Sequence, residues 1–224
     1  MVSESAAERL AAIRAQLPPH TQLLAVSKGQ PASAIRGLAG LGQLSFGESR
    51  LQEAAAKQDE LADLVGLDWH FIGRLQANKV RPVLQRFAWL HSVDSLPLAE
   101  RVARIAVEES VSPKVLLQVK LRPDPAKGGF EPDALRRDWP RLQALPGMQL
   151  VGLMTMAPLG LAAAQRGSLF HDCAALAREL GLKQLSMGMS GDWPEAAAAG
   201  STWVRIGSGL FGPKPLSAPA WDAI

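Results

Sequence analysis

Residues 184–209 read QLSMGMSGDWPEAAAAGSTWVRIGSG, and this stretch contains one complete repeat of the predicted fold. An apolar run at residues 184–188 leads into a glycine-bearing turn, and a helical pattern at residues 194–199 precedes a second apolar run at residues 203–207. Both runs are nearly continuous in apolar residues, as is typical of parallel strands that are buried on both faces. The stretch therefore predicts a strand–helix–strand unit of a parallel sheet.

The same alternation of strands and helices extends over the whole chain. Six further apolar runs predict strands at residues 23–27, 43–47, 69–73, 89–93, 115–119 and 150–156. Amphipathic patterns predict helices at residues 5–16, 31–39, 50–64, 76–87, 96–109, 132–145 and 161–180. Eight strands alternating with helices favour an α/β fold, a (β/α)8 barrel of the TIM type that forms a single domain over residues 1–224, with an extra N-terminal helix. The alternative is an open doubly wound sheet, but no predicted strand is followed by the motif G-x-G-x-x-G.

The composition and charge of the chain exclude several classes of protein. Apolar residues make up 47% and charged residues 20%, close to the average of globular proteins, which argues against a disordered chain. The net charge of +3 is too small and too evenly spread to predict a nucleic-acid-binding protein. No apolar run reaches the roughly 18 residues that a membrane span needs, and residues 1–16 carry charges where a signal peptide needs an apolar core. The single cysteine excludes an intramolecular disulfide, and we expect a cytosolic protein.

In such a barrel the functional groups lie at the C-terminal ends of the strands. Lys28 follows the first strand, where partial burial of its amine would favour imine formation, although a surface lysine in a loop is the more common case. Glycine- and serine-bearing turns at residues 188–191 and 207–209 follow strands seven and eight, where barrels commonly bind phosphate through backbone N–H groups. Strand eight pairs with strand one when the barrel closes, so the lysine and the turns are expected to meet. A lysine beside a phosphate site is typical of proteins that bind pyridoxal 5′-phosphate (PLP).

Arg205 lies among apolar residues in the predicted strand eight. A guanidinium that is buried without a partner is costly, so this side chain needs an acceptor. It either forms a structural ion pair or faces the pyridine nitrogen of the cofactor. Because a guanidinium does not give up its proton, it would donate to an unprotonated ring nitrogen and weaken the ring as an electron sink.

Seven motifs, in order along the chain, resemble those of the YggS/PROSC family of PLP homeostasis proteins, over about residues 10–213. They are Ala25-Val26-Ser27-Lys28, Phe46-Gly47-Glu48, His70-Phe71-Ile72-Gly73 continuing to Asn78-Lys79, Lys127-Gly128-Gly129-Phe130, Gly152-Leu153-Met154-Thr155-Met156, Leu185-Ser186-Met187-Gly188-Met189-Ser190, and Val204-Arg205-Ile206-Gly207 continuing to Phe211-Gly212. The resemblance implies the barrel of the cofactor domain of alanine racemases, with PLP as the cofactor.

The resemblance also implies roles for individual residues. Lys28 would be the Schiff-base lysine and Arg205 would face the pyridine nitrogen, while Ser190, Gly207 and Ser208 would surround the phosphate. The remaining predicted cofactor contacts are Ser49, His70, Asn78 and Met154. Two positions depart from the family pattern: Ser49 stands where asparagine is usual, and Gly191-Asp192-Trp193 stands where an acidic pair follows Ser190. The first departure puts a polar contact with the cofactor in question, and the second alters the rim of the phosphate turn.

Other polar residues support weaker hypotheses. His70 and His91 on neighbouring strands suggest a metal, but no further ligand is placed to join them, so we interpret them as interior histidines and expect no metal. Cys173 beside His171 and Asp172 cannot form a triad within one helix, because adjacent helical residues point in different directions. Residues 76–79 form either a polar shell around the cofactor or a solvated turn. Lys127 is either a second, transient amine or a rim charge.

Two function classes compete, a PLP-dependent racemase or related enzyme and a carrier that holds PLP without substantial catalysis. A two-base racemase needs an acid–base group on each face of the substrate. Lys28 supplies one, but in alanine racemases the other is a tyrosine of a second domain, and this sequence contains no tyrosine and ends shortly after strand eight. His70 is a conceivable substitute base. We therefore expect a monomeric carrier that passes PLP to apo-enzymes and binds neither nucleic acid nor membrane. A module without ligand would leave the lysine, the arginine and the turns unexplained.

Overall fold

The computed structural model describes residues 5–212, and within them the strands close into a parallel barrel. The strands are β1 (Gln22–Val26), β2 (Ser45–Glu48), β3 (Asp68–Phe71), β4 (Trp89–Val93), β5 (Lys114–Gln118), β6 (Gln149–Met154), β7 (Gln184–Ser186) and β8 (Trp203–Ile206). Each strand pairs with the next, and β8 closes on β1 with Gln22 opposite Trp203 and Leu24 opposite Arg205. The predicted (β/α)8 barrel is confirmed, and so is the neighbouring position of strands one and eight.

Helices connect the strands in the predicted order. They are α1 (Ala6–Gln16), α2 (Ala32–Ala39), α3 (Leu51–Glu60), α4 (Val80–Leu84), α5 (Leu96–Glu108), α6 (Pro132–Gln143), α7 (Ala163–Glu179), α8 (Trp193–Ala198) and α9 (Ser208–Phe211). The N-terminal helix α1 begins at a capping box, in which Ser5 and Glu8 each bind the other's backbone N–H. None of the helices described here combines the length and the apolar character that spanning a bilayer requires.

Most strand boundaries differ from the prediction by one or two residues, and two of these differences have a local cause. The predicted second strand begins at residue 43, but β2 begins at Ser45, because the Gln43 side-chain amide donates to the carbonyls of Leu23 and Ser45 and fixes that residue outside the strand. The predicted seventh strand extends to residue 188, but β7 ends at Ser186. Gly188 has a φ of 87°, which turns the chain out of the strand.

Two predicted helices differ from the structure by more than two residues, and one helix was not predicted. The helix predicted at residues 76–87 is a 3₁₀ turn, Ala77–Lys79, followed by α4, because proline fits only the first turn of an α-helix and Pro82 therefore requires a start near Val80. The helix predicted at residues 50–64 ends at Glu60, whose carbonyl accepts from the Arg36 guanidinium. The sequence did not predict α9, since four residues are too few to show a helical period.

The interior of the barrel is filled by side chains from strands on opposite sides. Leu24, Trp89, Leu116, Met154 and Trp203 form one buried cluster, and they come from β1, β4, β5, β6 and β8. Residues from strands that are not neighbours can contact each other only across the barrel axis. The described residues thus form a filled barrel, and barrels of this kind carry their functional groups at the strand C-termini. The ends of the predicted domain, residues 1–4 and 213–224, lie outside the described residues, and so does Pro213 at the end of the family resemblance.

Candidate functional site

The C-terminal edge of the barrel carries most of the residues predicted to bind PLP. Lys28 follows β1 directly, Ser49 follows β2, and Asn78 lies in the 3₁₀ turn after β3. Ser190 lies in the loop after β7, while Gly207 and Ser208 follow β8. Lys28, Asn78, Ser190 and Ser208 are exposed, and Ser49 and Gly207 are half-buried. Lys28 therefore lies at the end of β1, as predicted. Its side chain is exposed, and the partial burial that would favour imine formation is not observed.

The Arg205 side chain is buried, with 5% of the residue exposed, in the interior of the barrel. Its Nη1 donates to the Ser186 carbonyl at 2.6 Å and to the Ser186 hydroxyl at 2.7 Å, and its Nη2 donates to the Thr155 carbonyl at 3.0 Å. Burial lowers the pKa of Arg205 to about 10, so the guanidinium is still charged at neutral pH. No carboxylate among the described residues pairs with it, which disfavours the structural ion pair. Its Nε–H and the second Nη2–H have no acceptor among these residues.

The turns after β7 and β8 meet at the Ser190 side chain. The Gly209 N–H donates to the Ser190 hydroxyl at 3.3 Å, which joins the two turns. The N–H groups of Gly207 and Ser208 donate to no acceptor in the part of the chain that the structure describes. A Cβ at Gly207 would lie 3.3 Å from the Val26 carbonyl oxygen, so a side chain would crowd this space beside β1. The turns therefore offer an uncrowded set of backbone donors, which is the arrangement that binds phosphate.

The turn that carries Lys28 is fixed by a buried ionic cluster. The Lys57 ammonium of α3 donates to the Ser27 carbonyl at 2.8 Å, to Glu48 Oε1 at 2.8 Å and to Glu53 Oε1 at 2.6 Å. The Ser27 hydroxyl donates to Glu48 Oε1 at 2.6 Å, and the Gly29 N–H donates to Glu53 Oε1. Burial raises the pKa of Glu48. Both residues that flank Lys28 are thus bound by one cluster, which holds the lysine in place at the edge of the barrel.

The sequence interpretation missed this cluster. Glu53 and Lys57 are four residues apart in a helix, a spacing that ordinarily indicates a solvated surface pair. In the structure Glu53 is 1% and Lys57 7% exposed. Ser186 and Thr155, which hold Arg205, lie in motifs that carried the resemblance, but no sequence signal connects them to the arginine.

Besides Arg205, two of the predicted cofactor contacts lie inside the barrel rather than at its edge. Met154 packs in the interior cluster at the end of β6. His70 is fully buried, and its ring contacts Trp89, Trp203 and His91. His70 is thus surrounded by the first residues of β4 and β8, toward the N-terminal end of the barrel. The contacts of His70 and Met154 with a cofactor stay predictions.

The other candidate residues have separate surroundings. Within the described part of the chain, no three His, Cys, Asp or Glu side chains are grouped as a metal site would require. Burial raises the pKa of the Cys173 thiol to about 12, whereas His171 is exposed and bonded to the Gly167 carbonyl. Lys127 Nζ donates to the Ala157 carbonyl at 3.2 Å and pairs with Asp124 at 3.5 Å. Lys127 is therefore tied to the rim between the loops after β5 and β6.

Known proteins of similar sequence and structure fit this geometry. The family model described as the alanine racemase N-terminal domain matches residues 3–215. The pyridoxal phosphate homeostasis protein of Synechocystis sp. PCC 6803 is 46% identical over 206 residues, which cover 89% of this chain and 94% of that protein. The protein of the same name from Pseudomonas aeruginosa is 44% identical over 210 residues, 91% of this chain and 89% of that one.

Solved structures of other proteins also resemble this chain. The structure of PipY from Synechococcus elongatus with PLP bound has a TM-score of 0.90 at 53% identity, covering 93% of this chain and all of that one. An alanine racemase of Clostridium difficile has a TM-score of 0.70 at 17% identity over 58% of its own length, and this likeness shows the fold alone. The chain belongs to the alanine racemase N-terminal domain family and, within it, to the YggS/PROSC group whose curated members are named pyridoxal phosphate homeostasis proteins.

Proposed function

We propose that the protein binds PLP at the C-terminal edge of the barrel, where β7, β8 and β1 lie side by side. One observation carries the proposal: three kinds of group lie together at the ends of three adjacent strands. They are an accessible amine, a set of unpaired backbone N–H groups and a buried guanidinium with two unused N–H groups. PLP presents an aldehyde, a phosphate and a pyridine nitrogen, so it offers one matching group for each. The PLP-bound structure of PipY supports the assignment.

Each group of this chain has a distinct role in the proposal. Lys28 holds the cofactor through its aldehyde as a Schiff base, with release of one water. The Ser190 hydroxyl and the N–H groups of Gly207 and Ser208 bind the phosphate. Arg205 donates to the pyridine nitrogen, which accepts because it is unprotonated. Ser49 and Asn78 line the polar rim. When bound, PLP supplies an electrophilic carbon that can exchange between amines.

We propose further that the protein is a carrier of PLP without substantial catalysis, acting in PLP homeostasis. A racemase needs a second acid–base group opposite Lys28. The sequence contains no tyrosine, and both ring nitrogens of His70 are engaged, with Asp68 and with His91, so this histidine has no free nitrogen to act as the substitute base. Lys28, Asn78, Ser190 and Ser208 are exposed, so this edge lacks the water-excluded environment that efficient catalysis uses. The relatives named homeostasis proteins support the carrier.

The competing function is a PLP-dependent amino-acid racemase or related enzyme, and proton exchange separates the two. The purified protein, loaded with PLP, is incubated in deuterated water with a panel of amino acids, beside Lys28→Ala. We expect exchange of the α-proton near the rate of free PLP, together with transfer of PLP to an added apo-enzyme. Fast exchange that disappears in Lys28→Ala would instead establish the enzyme.

The carrier is further proposed to act in the cytosol as a monomer and to deliver PLP to apo-enzymes, with neither nucleic acid nor membrane as a partner. The single cysteine, Cys173, is buried as a free thiol, which suits a reducing compartment. Size-exclusion chromatography with light scattering tests the monomer, which predicts a mass near 23.9 kDa.

A further inference from the structure

A continuous line of hydrogen bonds runs through the interior of the barrel and ends at Arg205. Asp68 Oδ2 lies 3.1 Å from His70 Nε2, and His70 Nδ1 lies 2.9 Å from His91 Nε2. His91 Nδ1 lies 2.9 Å from the Ser186 hydroxyl, which in turn lies 2.7 Å from Arg205 Nη1. The line joins β3, β4, β7 and β8. Of its five residues, four are buried, and the side chain of Asp68 is 37% exposed.

The chemistry of the two ends fixes the direction of every bond between them. A guanidinium only donates, so the Ser186 oxygen accepts from Arg205. The hydroxyl proton then has one acceptor among the described residues, His91 Nδ1. His91 must consequently carry its proton on Nε2 and donate it to His70 Nδ1. His70 in turn carries its proton on Nε2 and donates it to the Asp68 carboxylate.

The opposite direction would leave protons and lone pairs unmatched. If His91 donated from Nδ1 to Ser186, the buried serine hydroxyl proton would have no acceptor in the described chain, which costs free energy. His70 Nδ1 would then donate to His91, and its Nε2 lone pair would face the carboxylate of Asp68. That contact is favourable only with an added proton on His70 or on Asp68.

Burial and the neighbouring cations disfavour an added proton on the imidazoles, and they outweigh the Asp68 carboxylate, which acts to raise the pKa of His70. Burial lowers the pKa of His70 and holds the pKa of His91 well below its usual value. Burial alone would raise the pKa of Asp68, but the hydrogen bonds from His70 and from the Trp89 indole, together with the Lys114 charge, lower it overall. Lys114, which lies 4.5 Å over the Trp89 ring, also lowers the pKa of His70, and Arg205 lowers that of His91. Both imidazoles are therefore neutral and Asp68 is a carboxylate at neutral pH.

We propose that Asp68, His70, His91 and Ser186 form a one-way hydrogen-bond relay that positions the Arg205 guanidinium, with both imidazoles in the Nε2–H tautomer. Because His91 Nδ1 accepts the hydrogen bond from the Ser186 hydroxyl, the lone pairs of that oxygen face Arg205. Both N–H groups of Arg205 Nη1 are then hydrogen-bonded to Ser186, and the unused Nε–H and Nη2–H are held in one orientation. His91 and Ser186 are positioning residues rather than catalytic ones. The link from Arg205 to a ligand rests on the proposed binding of PLP.

The tautomers are tested on the unmodified protein, without any ligand. The chain has only four histidines, so ¹⁵N NMR of the imidazole nitrogens can resolve each ring after assignment with His20→Gln and His171→Gln. We expect His70 and His91 to show a protonated Nε2 and an unprotonated Nδ1 from pH 6.5 to 8. A protonated Nδ1 on either ring, or a cationic ring in this range, would overturn the relay.

Positioning of Arg205 is tested by PLP titration of three variants, read by the absorption of the bound cofactor. Ser186→Ala removes the hydroxyl and is expected to raise the Kd for PLP roughly tenfold, equivalent to about 1.4 kcal/mol. Ser186→Thr keeps a hydroxyl and should restore most of the affinity and the wild-type absorption maximum. Thr21→Val removes another buried hydroxyl, bonded at 2.7 Å to the Ser201 carbonyl near the start of β1, and should leave the Kd unchanged.

Each outcome of the titration decides one claim. A Ser186→Ala protein that binds PLP like the wild type would overturn the positioning role, and so would a Ser186→Thr protein as weak as Ser186→Ala. An equal loss in Thr21→Val would show that any loss of a buried hydroxyl weakens binding, which also contradicts the role. If the wild type binds no PLP, the proposed function and the positioning role fail together, while the NMR result still decides the tautomers.

Discussion

At the scale of single residues, Arg205 is the most constrained group of the site. Its guanidinium is buried and charged, and it is held by two carbonyls and one hydroxyl rather than by a carboxylate. A counter-charge would compete for the N–H groups that the structure leaves unused. The neutral acceptors instead fix the group and leave it able to donate to a ligand that brings a lone pair.

Arg205→Gln is therefore expected to weaken two properties together. The Thr155 carbonyl loses its donor and the Ser186 carbonyl keeps only the Thr155 N–H, which should lower the free energy of unfolding by about 1–3 kcal/mol. The PLP affinity should fall as well, because the ring nitrogen loses its donor. Denaturant unfolding and PLP titration measure the two effects. The matched variant Arg136→Gln breaks an exposed ion pair with Glu179, and it should change stability by less than about 1 kcal/mol and leave PLP binding intact.

At the scale of elements, the loop between β7 and α8 is shaped by the close packing of its backbone against that helix. Gly188 has a φ of 87°, and a Cβ there would lie 2.6 Å from the Ala196 Cβ and 2.8 Å from the Trp193 Cα. The Asp192 carboxylate accepts from the Met189 N–H at 2.6 Å and closes the turn. Only glycine fits at position 188, so the loop reaches Ser190 in one conformation.

Gly188→Ala should displace this loop and lower the preference of the protein for PLP over pyridoxal, which lacks the phosphate. Both the positive φ and the short contacts oppose a side chain, so stability should also fall, by about 1–3 kcal/mol for the backbone strain alone. Gly191→Ala is the control within the same loop, because a Cβ at that position meets nothing within 4 Å. Equal affinities for PLP and pyridoxal in the wild type would contradict the assigned phosphate site.

Sequence patterns predicted the elements better than the contacts between their polar side chains. Buried parallel strands show as continuous apolar runs, so all eight strands were predicted and their ends differed by at most two residues. Position after a strand also predicted that Lys28 and Ser190 lie at the C-terminal edge of the barrel, where the structure has them. The burial of Lys57 depends on contacts of α3 with the ends of β1 and β2, and the line from His70 to Arg205 depends on side chains that meet across the barrel. No local sequence pattern encodes such contacts.

At the scale of the whole molecule, the barrel contains a buried polar core as well as an apolar one. His70 and His91 lie in its interior without charge, and the His70 ring contacts Trp89 and Trp203. On unfolding, both rings become free to bind a proton at their ordinary pKa of about 6.5. The stability of the fold is therefore coupled to pH through these two residues.

The sign of this coupling follows from the lowered pKa values of both histidines in the folded state. Below pH of about 6.5 the unfolded chain binds more protons than the folded one, so the free energy of unfolding should fall as the pH is lowered, by at most about 2.7 kcal/mol per pH unit for two histidines. Denaturant unfolding between pH 7.5 and 5.5 measures the slope. His91→Asn should reduce it, whereas His171→Gln, at an exposed position on α7, should not. An unchanged slope in His91→Asn would contradict a buried neutral His91.

The attachment of PLP to Lys28 tests the central claim most directly. The protein is mixed with PLP, its absorption spectrum is recorded before and after borohydride reduction, and the reduced adduct is located by peptide mapping. The account predicts a visible imine band that borohydride removes, one adduct on Lys28, and no band in a folded Lys28→Ala protein, while Lys127→Ala behaves as the wild type. An adduct on Lys79 or Lys127 in place of Lys28, or an imine band that persists in Lys28→Ala, would contradict it.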